Sequence, residues 1–273
     1  MITSHNFSCH SLSTYLRIVF CLSIFINTCF NHGAEADDPP DYSSDYIISR
    51  INETYNKVHS AQGRITRTIE VDKTEIQRHN GRFAVRKPEH ILIEFVGEFH
   101  QFVGFDGTTF RIYFPNENKG IFQKNSDMSP LERFILGPEP FFGNIFTVLK
   151  QGFSIKVADR VDGNIILKAT PNNPVNFNFI LVSVDPKTWT IQAIEHFDRT
   201  NTLVSQTKFL EYKTVGDSLF FPTKMATSNI ISDAVRVETT RLTRVQLNIP
   251  IDDETFSIPA SDDTEWTSND KVE

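Results

Sequence analysis

The chain has 273 residues, of which 39% are hydrophobic and 22% charged, proportions typical of a globular protein. Its net charge is −7, and residues 250–273 alone carry a net charge of −7, so the body of the chain is neutral and its charge gives no support for nucleic-acid binding. All three cysteines, Cys9, Cys21 and Cys29, precede residue 30, which excludes a cysteine nucleophile or a cysteine-based metal site in the body.

An apolar run at residues 18–26 follows Arg17 near the N-terminus. It is too short to span a bilayer and is typical of the hydrophobic region of a signal peptide. Small residues at the −3 and −1 positions predict cleavage after Ala36, so we interpret residues 1–36 as a signal peptide. Lipidation at Cys29 and an uncleaved anchor are the alternatives. Each of them places the body outside the cytoplasm, and the periplasm is the expected compartment.

A linker and an amphipathic helix are predicted next. Residues 37–43 are acidic and proline-rich, as linkers often are. The helix would open with Ser43 or Ser44 as its N-cap and Asp45 in its first turn. Its apolar positions have the spacing of one helical face and are Ile47, Ile51, Tyr55 and Val58. We interpret residues 44–249 as one domain that begins with this helix.

Alternating apolar and polar residues predict β-strands over most of the remaining body. The pairs Asp106-Gly107 and Asp162-Gly163 are typical of tight hairpin turns. Roughly eleven to thirteen strands in hairpin order would form an antiparallel meander that curls or closes. We therefore expect a mainly β protein.

Two helical pieces interrupt this pattern. Residues 129–132 form a capping box with proline at the first helical position, and Gly137-Pro138 would end the short helix. Residues 141–149 are almost entirely apolar and predict a second short helix that ends near Gly152. With the 24 phenylalanines of the chain, these pieces suggest either a half-closed barrel with a lid over an apolar pocket or an ordinary phenylalanine-rich core.

No sequence pattern of a catalytic or metal site is present. The nucleophile elbow, the zinc-protease pattern, the P-loop and the dinucleotide-binding pattern are all absent. The histidines of the body lack metal-ligand spacing and are His59, His79, His90, His100 and His196. A hydrolase with a dispersed site is an alternative because catalytic triads are defined by geometry. We expect the protein not to be an enzyme and to need no metal or cofactor.

Three segments resemble LolA-type lipoprotein carriers. Residues 81–95, GRFAVRKPEHILIEF, are similar to a strand-turn-strand of these carriers, with a glycine, alternating apolar residues and a basic pair before proline. Residues 105–118, FDGTTFRIYFPNEN, resemble the following hairpin, and residues 247–259, LNIPIDDETFSIP, resemble the close of the domain. The order of elements also matches, and the resemblance covers most of residues 44–258.

The resemblance implies an unclosed antiparallel β-barrel of about eleven strands with an N-terminal helix and a short helical lid. It implies a monomeric periplasmic carrier that takes acylated lipoproteins from an inner-membrane ABC extractor and passes them to an outer-membrane acceptor. The wall of the acyl cavity would comprise Phe83, Val85, Ile91, Ile93, Phe95, Phe110 and Ile112. The lid would comprise Leu131, Phe134, Phe141, Phe142, Ile145 and Phe146.

The basic residue before proline in this family falls on Lys87, with Arg86 beside it. Many members have arginine at this position, and lysine lacks the fork geometry for a bidentate contact. A solvated hairpin end is the alternative role for both residues. Another departure is Arg67, where glutamine is frequent.

A second function fits the same scaffold, namely a periplasmic regulator that senses lipid or lipoprotein, like the RseB-type proteins. The acidic residues 250–273 are expected to form a mostly disordered tail, in which Phe256 and Ile258 contact the body.

Overall fold

The structure is a computed structural model that describes residues 42–128, 145–173, 177–215, 219–231 and 234–268. The side chains of Thr147, Val148 and Ile231 are not described. The predicted signal peptide, the linker up to residue 41 and the helix predicted after residue 129 lie outside the described residues.

The described chain is mostly β, as the sequence predicts. Helix α1 spans Ser44–Tyr55 and helix α2 spans Ile145–Gly152. The first six strands are β1 Ser60–Val71, β2 Thr74–Arg86, β3 His90–Val96, β4 Gln101–Asp106, β5 Thr109–Phe114 and β6 Lys119–Lys124. The other strands are β7 Phe153–Val161, β8 Asn164–Pro171, β9 Phe177–Asp185, β10 Thr190–Asp198, β11 Leu203–Val215, β12 Leu219–Ile231, β13 Ala234–Leu247 and β14 Glu265–Ser268.

All the strands belong to one sheet in the order β14-β6-β5-β4-β3-β2-β1-β13-β12-β11-β10-β9-β8-β7. Two hairpin meanders, β1–β6 and β7–β13, are joined by the antiparallel pairing of β1 with β13. Strands β7 and β14 form the two edges, and among the described residues no pairing joins them. The sheet is therefore the open, antiparallel-dominated structure that the sequence predicts.

The number of strands is higher than expected. The sequence predicts about eleven to thirteen strands, and the described residues alone form fourteen. Strands β6 and β14 lack the alternation of apolar and polar residues that predicts a strand, because they are short and carry few apolar residues. Strand β6 reads KGIFQK and β14 reads EWTS. Neighbouring strands stabilise both of them, and β14 pairs with β6 in the sheet's only parallel contact among the described strands.

The sheet curls strongly. The rings of Phe83 on β2 and Phe221 on β12 are stacked with centroids 6.5 Å apart, although β1 and β13 lie between their strands. In a flat sheet, strands three positions apart are separated by about 14 Å. The face that carries these two rings is therefore concave, and we call it the inner face.

Helix α1 covers one half of the inner face. The hydroxyl of Ser43 accepts the N–H of Tyr46 at 3.2 Å, which confirms the predicted N-cap. Ile47, Ile51 and Tyr55 are buried as the helical spacing predicts, because this stripe faces the sheet. The helix ends at Tyr55, so Val58, although buried, lies beyond it rather than on its last turn.

Two apolar clusters occupy the inner face. One cluster joins α1 and α2 to β8–β11, and Ile47, Leu149, Ile165 and Ile180 are among its fully buried members. The other cluster lies on β1–β5, β12 and β13 and includes the wall positions. Both predicted tight turns are present, because β4 ends at Asp106 before Gly107 and β7 and β8 flank Asp162-Gly163.

The C-terminal segment packs on the opposite, outer face. Ile251 and Phe256 are buried against Leu92 and Phe102, and Ile258 packs on the same cluster. The predicted contacts of Phe256 and Ile258 are thus confirmed. The expectation of a mostly disordered tail is wrong for residues 250–268, because their apolar side chains cover outward-facing residues of β2–β5.

Candidate functional site

The seven predicted wall residues come together on the inner face. Antiparallel register places six of them in two rows that cross β2 to β5, because directly paired residues share a face. The first row comprises Phe83, Ile93, Val103 and Ile112. The second row comprises Val85, Ile91, Phe105 and Phe110. Phe95 lies in the same cluster, which makes this surface continuous and apolar.

Burial varies along these rows. Phe83, Val85, Ile91, Phe95 and Phe110 are buried, whereas Ile93 and Ile112 are half-buried and pack against the cluster. The two half-buried positions are therefore the more accessible part of these rows.

The predicted lid residues are placed only in part. Leu131, Phe134, Phe141 and Phe142 lie outside the described residues. Ile145 and Phe146 are buried in helix α2, which confirms the helix but places them in the cluster of α1 and β8–β11. They therefore pack on the other half of the inner face and not on the wall residues.

Several wall residues were missed by the sequence analysis. Phe221 on β12 and Leu242 and Val245 on β13 complete the apolar cluster from the far side of the curled sheet. Strand alternation alone could not find them, because only the curvature of the sheet shows that β12 and β13 face β2. Phe105 and Val103 extend the two rows, and their alternation along β4 is a signal that could have found them.

An ion pair interrupts the apolar inner face. Arg67 on β1 donates to Glu238 on β13, with 2.8 Å between Nη2 and Oε2, and its guanidinium lies 5.9 Å from the ring centre of Phe95. The ring of His79 packs edge-on against Phe95 and Phe99. Burial and the charge of Arg67 lower the pKa of His79, so its imidazole is neutral at neutral pH.

Lys87 and Arg86 are not a solvated hairpin end. The ammonium of Lys87 donates to the carbonyl of Tyr55 at 3.0 Å and to the side chain of Asn56 at 3.1 Å, at the C-terminus of α1. A cation there is attracted to the negative end of the helix dipole, and it shares the carbonyl of Tyr55 with the backbone N–H of Val58 at 3.2 Å. Burial lowers the pKa of Lys87 to about 8.

Arg86 holds the C-terminal segment. Its guanidinium donates to the carbonyl of Ile251 at 2.6 Å and to the carboxylate of Asp253, and it lies over the ring of Phe256. The basic pair before Pro88 therefore joins β2 to helix α1 on one side and to the C-terminal segment on the other. Neither contact places these cations on the apolar wall.

Within the described ranges, no group of three or more His, Cys, Asp and Glu side chains is arranged to hold a metal ion. No helix in this part of the chain is long and apolar enough to cross a membrane.

Comparison with solved structures identifies the fold. A DUF1329 family protein from Desulfovibrio piger superposes with a TM-score of 0.57 at 14% identity, over 77% of this chain and 94% of that protein. An outer membrane lipoprotein-sorting protein domain from Vibrio parahaemolyticus gives 0.56 at 12% identity, over 77% and 95%. A LolA superfamily protein from Nitrosomonas europaea gives 0.54 at 12% identity, over 80% and 98%.

The sequence itself matches no family model and no curated protein. Since the three structures are only 12–14% identical to this chain, they establish its fold alone. The resemblance seen in the sequence is confirmed at that level, and the chain has the LolA-type fold.

Proposed function

We propose that this protein is a periplasmic carrier that binds the acyl chains of lipoproteins on its inner face and takes them from the inner to the outer membrane. The observation that carries the proposal is the convergence of the wall residues in two unbroken rows on the concave side of an open sheet. The lipoprotein-sorting domain from Vibrio parahaemolyticus, which shares the fold, supports the same reading. In this proposal the protein is not an enzyme, and it acts by burying the apolar surface of its ligand.

The energetics of acyl transfer define what such a carrier needs. Burial of an acyl chain stabilises it by about 0.8 kcal/mol per CH₂, so several chains hold a lipoprotein in a bilayer by tens of kcal/mol. A carrier must recover much of this energy on its own apolar surface. Phenylalanine and isoleucine suit that surface because they offer apolar area without a polar atom that needs a partner.

The free energy that holds acyl chains in the bilayer also determines which donor and acceptor the carrier needs. Because the carrier alone extracts such cargo too slowly, the proposal includes an ATP-driven extractor of the ABC class in the inner membrane as donor. Release requires an acceptor in the outer membrane.

A charge placed on the wall tests the proposal. The substitutions Ile93→Glu and Ile112→Glu introduce a carboxylate at half-buried inner positions. We expect each of them to weaken binding of a fluorescent triacylated lipopeptide by about tenfold or more, because burial of an unpaired charge against acyl chains is costly. Titration of the lipopeptide measures the effect, and circular dichroism verifies that the sheet is intact.

Val96→Glu is the matched control. Val96 ends the same strand as Ile93, and its side chain is 54% exposed. This variant should bind the lipopeptide as the wild type does. Unchanged binding by folded Ile93→Glu and Ile112→Glu proteins would refute the proposal, and selective binding of a protein without acyl chains would favour the regulator instead.

A further inference from the structure

A row of polar residues crosses the inner face near one rim of the sheet. His196, Ser205, Asn229 and Arg236 are directly paired in turn across β10, β11, β12 and β13. They lie on the inner face because His196 also pairs with Ile180 of β9, which is fully buried in the inner cluster. We call these four residues the rim row, since β10 ends at Asp198.

Three of the four rim-row side chains make no hydrogen bond within the described residues, and the fourth, Arg236, has only a long ion pair. Both ring nitrogens of His196 are shielded from solvent and make no hydrogen bond within the described part of the chain. In the same part of the chain, the hydroxyl of Ser205 and the side-chain amide of Asn229 make none either. Arg236 is only 3.8 Å from the carboxylate of Glu238, which it shares with Arg67. The row therefore offers several free donors side by side.

The side chains of the adjacent polar row have partners within the protein. Two residues further along the same strands, the hydroxyls of Thr207 and Thr227 are hydrogen-bonded at 2.9 Å. Beside them, Glu238 forms the ion pair with Arg67, at 2.7 Å from Nε. Buried polar groups are normally hydrogen-bonded, so the two shielded ring nitrogens of His196 stand out against the neighbouring row, whereas the half-buried Ser205 and Asn229 remain accessible to solvent or to a ligand.

His196 adjoins apolar surroundings. The edge of Phe177 packs against its ring with centroids 6.4 Å apart, and Phe177 stacks on Phe153. Burial lowers the pKa of His196 to about 4, so the imidazole is neutral at neutral pH and has one donor and one acceptor nitrogen. Deeper along the same strands the inner face becomes apolar at Ile194 and Phe209.

We infer that the rim row binds the ester or amide carbonyl groups of an acylated ligand, whose chains extend from the rim toward the apolar part of the inner face. The inference rests on the proposed function and adds to it a site for the polar linkage. A carbonyl oxygen accepts hydrogen bonds and carries no net charge, which matches the neutral donors of His196, Ser205 and Asn229. The order from polar rim to apolar interior matches an amphipathic ligand.

Two lipids that differ only in this linkage test the inference. The first, 1-palmitoylglycerol, has an ester carbonyl, and the second, 1-O-hexadecylglycerol, has an ether in its place. We expect the wild-type protein to bind the ester about tenfold more tightly, as one or two hydrogen bonds allow. His196→Phe keeps an aromatic ring but removes both nitrogens, and it should abolish the preference while the affinity for the ether is unchanged.

Two further variants complete the test. Asn229→Leu, at a half-buried position of the row, should also reduce the preference. His100→Phe makes the same exchange on the outer side, where His100 contacts Glu94 and Phe102, and should keep the preference. The ¹⁵N resonances of the His196 ring should shift with the ester and not with the ether.

The outcomes separate the two proposals. Equal affinity of the wild type for ester and ether would overturn the rim-row inference and leave acyl binding intact. Binding of neither lipid, nor of the triacylated lipopeptide, would overturn the proposed function itself.

Discussion

At the scale of single residues, the hydroxyl of Tyr55 fastens helix α1 to the sheet. It accepts the backbone N–H of Ile191 at 3.1 Å and is hydrogen-bonded to the hydroxyl of Tyr212 at 2.9 Å. The hydroxyl of Tyr212 in turn donates to the carbonyl of Ile191. Burial raises the pKa of Tyr55 to about 12, so the phenol stays neutral in this network. The last turn of α1 is thereby held on β10 and β11.

Removal of this hydroxyl should destabilise the fold. We expect Tyr55→Phe to lower the free energy of unfolding by about 1–3 kcal/mol, because the N–H of Ile191 on β10 and the hydroxyl of Tyr212 on β11 both lose a buried hydrogen-bond partner. Urea denaturation followed by circular dichroism measures the change. Tyr46→Phe is the control, since Tyr46 is 44% exposed on the same helix, and its effect should be close to zero. Equal stability of the Tyr55 variant and the wild type would contradict this account.

The face of the sheet on which a side chain lies was predictable from the sequence where apolar and polar residues alternate along a strand. Phe83 and Val85 on β2 alternate with the polar or small residues Arg82, Ala84 and Arg86, and a two-residue period fixes the face. His196 and Ser205 were not predictable. Their strands carry polar and apolar residues on both faces, as Val204 buried next to Ser205 shows, so the pattern gives no sign of which side is the interior.

At the scale of elements, the C-terminal strand β14 depends on a glycine. Gly120 on β6 lies directly opposite Trp266 in the parallel β6–β14 pair. A Cβ added at Gly120 would come within 2.4 Å of the indole ring. The indole also stacks on Tyr113 with ring centroids 6.2 Å apart. Because Gly120 has no side chain, the indole of Trp266 can lie against β6, and β14 can pair with the edge of the sheet.

The substitution Gly120→Ala should displace β14. We expect the fluorescence of Trp266 to shift to longer wavelength, because the added methyl group forces the indole toward solvent. The measurement is made in a Trp189→Phe background, since the chain has 2 tryptophans. Thr267→Ala, at an exposed position of the same strand, should leave the emission unchanged. An unshifted spectrum in the Gly120 variant would show that β14 is not positioned by this contact.

Helix α1 and the hairpins followed from local sequence, whereas β6 and β14 did not. The helix has a cap and an apolar stripe, and the hairpins have Asp-Gly turns, so each is encoded within a short window. Strand β14 comes more than a hundred residues after the strand that it pairs with, and its four residues gain order only from that contact. Local patterns carry no information on such a pairing.

At the scale of the whole molecule, the sequence was sufficient for the open antiparallel sheet but not for its curvature. Hairpin order predicts a meander, and only the pairing of β1 with β13 turns two meanders into one curled sheet. That pairing brings Phe221 onto Phe83 and creates the inner face. The same curvature divides the protein into a concave inner side and an outer side on which the segment of residues 250–268 packs.

The central claim is that the inner face holds acyl chains. The most direct test is mass spectrometry, intact and after lipid extraction, on the protein purified from its native envelope. The account predicts acylated lipoprotein or lipid in near-stoichiometric amount, carried by a chain whose N-terminal mass distinguishes cleavage after Ala36 from lipidation at Cys29. Protein that is repeatedly isolated with a bound polypeptide and without any acyl chain would contradict it.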